Sequence, residues 1–306
     1  MSFHPVRTQA RWIALGLVAL GIAACGGVLY LALAHGVGPR TVLWGAAFVV
    51  LLAGTLRLAY WSYGLFNMHY ALSRDALVIR WAATRQVVPM GAITHVVKGR
   101  PYQAPLTGVR VEGYEVGHTT ILDDAGEPRP VLVYATMPPE SQVLIMTQAL
   151  SYAISPADPL AFADEFVQRR RLGARQALEE RSFPAPWARL GLWNDGISVG
   201  LLLAAGAVLA FAFGFLAWHY PDLPTRVSLR FAYVVQDGVG LTAPGPTGPK
   251  SGAWRLPTVG LLALVANGAL AAVVHERGFA VAARMLLACA AFVEIALGIV
   301  MVRAIL

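Results

Sequence analysis

Apolar positions along this chain gather into five long runs, and between the second and third runs the pattern breaks into short alternating stretches. The runs are Trp12 to Ala34, Thr41 to Leu56, Ile197 to Trp218, Leu256 to Val274 and Met285 to Val302. A run such as Ile197 to Trp218 makes a helix of about 33 Å, enough to cross a hydrocarbon core of about 30 Å. The five runs therefore predict five membrane spans. The first is too long for the apolar stretch of a cleaved signal peptide, and a second run follows after the short loop His35 to Arg40, so residues 1–63 are expected to form a retained helical hairpin over 12–34 and 41–60.

From Gly64 the period shortens to two. Met68, Tyr70 and Leu72 alternate with His69, Ala71 and Ser73, and after Arg74-Asp75 the residues Leu77, Ile79 and Trp81 alternate with Val78 and Arg80, which predicts a β-hairpin. Further strands are predicted at Gln86 to Met90, Ile93 to Val97, Val109 to Gly113, Thr119 to Leu122, Val131 to Ala135 and Val143 to Thr147. Asp158 and Pro159 are a good N-cap and first-turn pair, and Phe162, Ala163, Phe166 and Val167 follow at helical spacing. The expectation is a small β-barrel or sandwich over 64–172, closed by this helix as a lid. The arginines 169–171 follow that stripe and open a basic tether that runs through 189 back to the third span. Residues 190–218 then hold the third span, 219–255 an outer loop, and 256–306 a terminal helix pair.

Composition fits a membrane chain: 57% of residues are hydrophobic and 13% charged. Cys25 and Cys289 both fall inside spans, where neither a disulfide framework nor a zinc site is expected. The formal charge of +7 would point to nucleic acid in a soluble protein; a membrane surface accounts for it here, and no nucleic-acid partner is expected. Five crossings put the termini on opposite sides, and the face shared by the N-terminus and the long β segment carries 18 of the 24 basic residues. Just before the third span, arginines 169, 170, 171, 175, 181 and 189 face only Glu179 and Glu180. The positive-inside rule then places the β segment in the cytoplasm and the C-terminus outside.

Candidate chemistry is sparse. Gly196-Ile-Ser198-Val-Gly200 matches a nucleophile-elbow pattern but opens a membrane span instead of following a strand. Histidines 4, 35, 69, 95, 118, 219 and 275 lack metal-ligand spacing, and neither a phosphate-binding loop nor a dinucleotide fingerprint is present, so no catalytic residue, metal or cofactor is assigned. Glu294, near the middle of the last span, must be hydrogen-bonded or carry a proton there, and Asn267 in the fourth span is its candidate partner. Arg57 lies 17 residues after Arg40, so its side chain can reach the inner interface. Gly206, Ala210 and Gly214 form a small-residue stripe suited to close helix packing. Pro244-Gly-Pro-Thr-Gly-Pro249 in the outer loop is expected to form no regular element.

Two resemblances add to this. Tyr70-Ala-Leu-Ser-Arg-Asp-Ala-Leu-Val-Ile-Arg80, Val88-Pro89-Met90-Gly-Ala-Ile93 and Ile154-Ser-Pro-Ala-Asp-Pro159 with Phe162 resemble the bacterial pleckstrin-homology-like domain of membrane proteins, over about 64–172. That resemblance implies an α+β membrane protein with a PH-like β module closed by its C-terminal helix. The turn at Arg74-Asp75 is too poor in basic residues for the phosphoinositide pocket of eukaryotic relatives. Leu223-Pro224-Thr-Arg-Val227-Ser-Leu-Arg230-Phe231, Asp237-Gly238, Lys250 and Leu256-Pro257 are similar to a bacterial multi-pass membrane family of unassigned function, with Arg230 where that family carries histidine. Together these imply a non-enzymatic, multi-pass protein of the bacterial inner membrane: an accessory subunit, assembly factor or scaffold. Its expected partners are anionic headgroups, met by Arg169, Arg170, Arg171 and Arg175, and other subunits of a membrane complex. The alternative is a small-solute or proton transporter, or a lipid sensor, built on Glu294 and Asn267.

Overall fold

Each of the five apolar runs forms a helix long and apolar enough to cross a membrane. A computed structural model describes the protein over residues 1–34, 37–123, 126–148, 150–173, 176, 178–185, 188, 190–227, 231–236, 239–244 and 247–305, with 231–236 and 239–244 as backbone. The chain divides into two compact units, Met1–Ile22 with Leu52–Pro186 and Ala23–Leu51 with Trp187–Leu306.

The first unit contains β1 (Ser2–Phe3), the start of α1 (Ala10–Ala34), the end of α2 (Pro39–Asn67), then β2 (His69–Leu72), β3 (Ala76–Trp81), β4 (Thr84–Pro89), β5 (Ile93–Lys98), β6 (Thr107–Val111), β7 (Tyr114–Leu122), β8 (Pro128–Ala135), β9 (Val143–Thr147), β10 (Ser151–Ile154), α3 (Pro159–Leu172) and β11 (Arg181–Phe183). They pair as two sheets of order β1-β2-β3-β4-β11 and β5-β9-β10-β8-β7-β6. Ser73 shapes the first hairpin turn, its hydroxyl donating to the Ala76 carbonyl at 2.8 Å and accepting from the Ala76 amide at 2.9 Å. The next turn holds Ala82 at φ +49°, a conformation costly for a residue with a Cβ, and the Asn67 side-chain amide donates to its carbonyl at 3.2 Å.

Alternation along the strands explains how the second sheet is buried on both faces. Tyr134, Ile145, Tyr152 and Ile154 enter a core shared with Tyr70, Leu72, Leu77 and Ile79 of the first sheet and with Phe162 and Phe166 of α3. Their neighbours Val133, Leu144, Met146 and Ala153 face the other way, under Tyr102 and Leu106 of the β5–β6 connection. That connection is tied down by the Gln103 amide donating to the Thr120 carbonyl and by Thr119 Oγ1 donating to the Ala104 carbonyl. The helix over α3 starts where predicted, with the Asp158 carboxylate accepting from the Ala161 amide. Of its predicted stripe, Phe162 and Phe166 are buried, Ala163 is half-buried and Val167 is exposed.

Three expectations need correction. The N-terminal tail is part of the module: β1 pairs with β2, and the Val6 amide donates to the Ser155 carbonyl. The predicted tether is docked along much of its described length, because β11 pairs with β4, the Tyr152 hydroxyl donates to Glu180 at 2.6 Å, and the Gln176 amide donates to Asp75. Arg169, Arg170 and Arg171 belong to the last turn of α3, where positive charge complements the helix dipole, so the basic run is not a separate linker.

The second unit contains α4 (Gly196–His219), β12 (Arg226–Val227), β13 (Phe231–Gln236), β14 (Val239–Pro244), β15 (Gly248–Pro249), α5 (Arg255–Glu276) and α6 (Ala280–Ile305). Helix α6 packs against both α4 and α5. Its buried positions Ala283, Leu287, Ala290, Glu294, Gly298 and Met301 recur at spacings of three and four, and the small residues among them allow close approach. The outer segment is more ordered than its Pro-Gly composition implies: β12 pairs with β15, and Leu223, Val227 and Ala253 pack onto Leu216 and Met301. Arg230, Asp237 and Gly238 lie outside the described residues.

Candidate functional site

The basic end of α3 is built from within the module. Arg74, in the β2–β3 turn, donates from its guanidinium to the carbonyls of Leu172 and Gly173, which α3 leaves without intrahelical partners. It is thus committed to capping a helix. Arg169 pairs with Glu165 one turn earlier at 2.5 Å, whereas Arg170 and Arg171 are exposed. Arg175 lies outside the described residues. Of the four proposed tether arginines, two stand open at this helix end and one is held by an internal ion pair.

The intramembrane residues are not brought together as expected. Asn267 donates to the Ala263 carbonyl of its own helix at 2.9 Å, while Glu294 is buried at 1% exposure against Gly260 of α5. Helix α6 begins at Ala280, so Glu294 sits about 21 Å from that end, whereas Asn267 is about 14 Å from the end of α5. Gly260, the residue Glu294 meets, lies seven residues before Asn267 on α5, so the two side chains are offset by about 10 Å, close to two helical turns. One carboxyl oxygen of Glu294 has no hydrogen-bond partner among the described residues. The expected small-residue stripe also faces elsewhere: Ala210 is exposed, a Cβ on Gly206 would meet nothing within 4 Å, and one on Gly214 would lie 3.6 Å from Val42. The packing face of α4 is instead Ala205, Leu209, Ala212 and Leu216.

Sequence reasoning missed a polar cluster where α4, α5 and α6 meet. Asp195 caps α4 and accepts from Ser198 Oγ at 2.6 Å, from Arg284 Nε at 2.9 Å and from Arg284 Nη2 at 3.1 Å. Ser198, the centre of the nucleophile-elbow pattern, is thus a capping partner in the first turn of a helix. The Arg284 guanidinium and the Ser198 hydroxyl hold the Asp195 carboxyl well below the usual carboxylate range. Glu276 accepts from the Gly191 amide at 2.7 Å, and His275 Nε2 is 3.9 Å from Asp195. An Asp placed just before an apolar run and three residues ahead of Ser was the available signal.

Inside the β module several buried polar groups pair with one another, while Gln86 Oε1 and Ser151 Oγ have no partner among the described residues. Glu115 accepts from Tyr102 at 2.7 Å and Gln142 at 2.9 Å and pairs with Arg110 at 3.3 Å. Burial, reinforced by the neighbouring Glu115 carboxylate, pushes the Tyr102 hydroxyl up. Tyr70 donates to the Tyr134 carbonyl at 2.7 Å in full burial, which pushes its pKa up to about 12. These groups anchor sheets and offer no open reactive atom. Among the described residues no three His, Cys, Asp or Glu side chains form a metal-binding group.

Residues 68–170 match the family described as Bacterial PH domain. Neither the curated proteins nor the solved structures contain a match to the chain.

Proposed function

We propose that the protein is a non-enzymatic membrane protein whose PH-like module serves as an interaction module at the cytoplasmic face of the bacterial inner membrane, as accessory subunit, assembly factor or scaffold. One observation carries this: the matched module is built around the end of a membrane-length helix, with Leu65 of α2 and Met68 just after it buried in the same core as Tyr70 and Phe162. A module so joined is held at a leaflet surface without a flexible linker, which suits presentation of a surface to other membrane subunits. Arg170 and Arg171 add attraction to anionic headgroups, about 1 kcal/mol for each side chain near the surface. In this reading the outer segment supplies a second docking surface on the far side.

Purification from native membranes in a mild detergent tests this reading. Stoichiometric co-migrating subunits that are lost when residues 68–170 are replaced support it; a chain that always migrates alone contradicts it. Replacing Arg169, Arg170 and Arg171 by Gln lowers the protection that anionic liposomes give the module against protease, and unchanged protection would remove the headgroup contact.

The unpartnered Glu294 carboxyl favours a second reading, a proton or small-solute path. Under that reading Glu294→Gln abolishes transport by the reconstituted protein, and full retention of transport would eliminate it.

A further inference from the structure

Helix α2 and the β6–β7 hairpin enclose a cleft of about 290 Å³, lined by Arg57, Trp61, Trp81, Thr84, His118 and Tyr134 with apolar residues between them. Its floor is fixed. Trp81 lies against α2 at Gly64, where an added Cβ would come within 2.7 Å of the ring. The indole donates to the Tyr114 hydroxyl at 2.6 Å, and that hydroxyl donates to the Trp61 carbonyl at 3.0 Å. Gly108 and Gly117 face each other across β6 and β7, leaving that stretch of wall bare, and a Cβ on either would strike the opposite backbone.

The polar groups of the floor are mostly spent on one another. Thr84 donates to the Trp81 carbonyl at 2.7 Å, and Tyr134 accepts from Gln86 at 3.1 Å. What stays open is a guanidinium and an imidazole. The Arg57 guanidinium stacks on Trp61 at 4.7 Å, forms no ion pair among the described residues, and is exposed, as is His118. No carboxylate lines the cleft. A rigid aromatic floor under an unpaired guanidinium is suited to a phosphate group, which arginine binds through two parallel hydrogen bonds.

Two further observations identify what carries the phosphate. Arg57 immediately follows the apolar run Thr41 to Leu56, and Tyr60, Trp61, Tyr63 and Phe66 occupy the following turns of α2, the aromatic composition of a membrane–water boundary. A second, largely apolar cavity of about 70 Å³ opens between α1 and α2, lined by Ile13, Leu17, Leu58 and Leu65, and shares Trp61 and Val109 with the cleft. We propose that this paired site holds one anionic phospholipid, its phosphate on Arg57 and His118 and part of an acyl chain in the apolar slot. The site is separate from the first hairpin turn, where Arg74 is already engaged, and from the arginines of α3. It rests on the reading that α1 and α2 lie in a membrane.

Native mass spectrometry of the full-length protein tests this, using equimolar phosphatidylglycerol and phosphatidylcholine, with inorganic phosphate in a separate arm. The wild-type chain retains one phosphatidylglycerol with at least about tenfold preference over phosphatidylcholine, Arg57→Gln lowers that retention about tenfold or more, and replacing Arg169, Arg170 and Arg171 by Gln leaves it unchanged. His118→Gln, at an exposed strand position, lowers retention by a smaller factor and keeps the test decisive should Arg57→Gln fold poorly. Equal retention of the two lipids, undiminished retention in both cleft variants, or inorganic phosphate displacing the lipid at equal concentration would overturn the proposal. A chain that remains in solution without detergent would instead overturn the membrane reading beneath it.

Discussion

Gly260 faces a buried carboxyl group, so replacing it by alanine has a consequence whose sign depends on Glu294. An added Cβ would lie 2.9 Å from Oε1 and 3.0 Å from the carboxyl carbon, and closer still to Oε2. Glu294 is 1% exposed, so the group cannot swing into open space. Overpacking of this kind costs about 1–3 kcal/mol, while alanine gains back about 1 kcal/mol over glycine in a helix interior. Gly260→Ala alone is therefore neutral to destabilising by about 2 kcal/mol. In a Glu294→Ala background the clash is gone and the same change stabilises by about 1 kcal/mol. The cycle predicts a coupling of about 1–3 kcal/mol, read from unfolding of the four variants in one detergent, followed by tryptophan fluorescence. An identical effect of Gly260→Ala in both backgrounds would refute the placement of Glu294 against α5.

Phe162→Ala empties a fully buried site that meets Phe3 edge-on at 5.3 Å between centroids, and is expected to cost about 3–5 kcal/mol; a loss below about 1 kcal/mol in the same unfolding assay would show that α3 does not close the core. Tyr70 has its pKa pushed up to about 12 by burial, against about 10 in an unfolded chain, so the stability it contributes is complete below pH 10 and fades as pH rises toward 12, by about 1.4 kcal/mol per pH unit. Tyr70→Phe should flatten that part of the stability profile, and an unchanged slope would contradict its burial. Asp195, held below the usual carboxylate range by Arg284, stabilises above that range and loses its contribution as pH falls through it. Melting temperatures of wild type and Asp195→Asn should differ at neutral pH and converge in acid; a gap that persists in acid would assign the effect to packing.

Local signals carried the sequence reading a long way. The five apolar runs, the hairpin around Arg74-Asp75 and the Asp158-Pro159 helix start each depend on neighbouring residues, and each is found, although α2 runs on to Asn67, past the expected span end at 60 and the expected start of the β module at 64. Strand β10 escaped because its residues Ser151, Tyr152, Ala153 and Ile154 are all buried, which erases the polar–apolar alternation by which an exposed-face strand is recognised. The strands β1 and β11 are two and three residues long and owe their form to partners far along the chain. The same limit governs the site. Whether Arg169 reaches a lipid or Glu165, and whether Glu294 meets Asn267 or Gly260, depends on helix length and rotation, and a shift of a few residues in one helix start moves a side chain by a full turn. The pairing of Asp195 with Arg284 joins residues 89 positions apart, beyond any local pattern.

The central claim is that a β module joined to membrane helices hangs on the cytoplasmic side of the bilayer. Single cysteines at the exposed positions Glu112 and Asp222, in a chain with Cys25 and Cys289 replaced, test it most directly through a membrane-impermeant maleimide. The account predicts that Glu112→Cys is labelled in inverted membrane vesicles but not in spheroplasts, and Asp222→Cys the reverse. Labelling of Glu112→Cys in intact spheroplasts would contradict it.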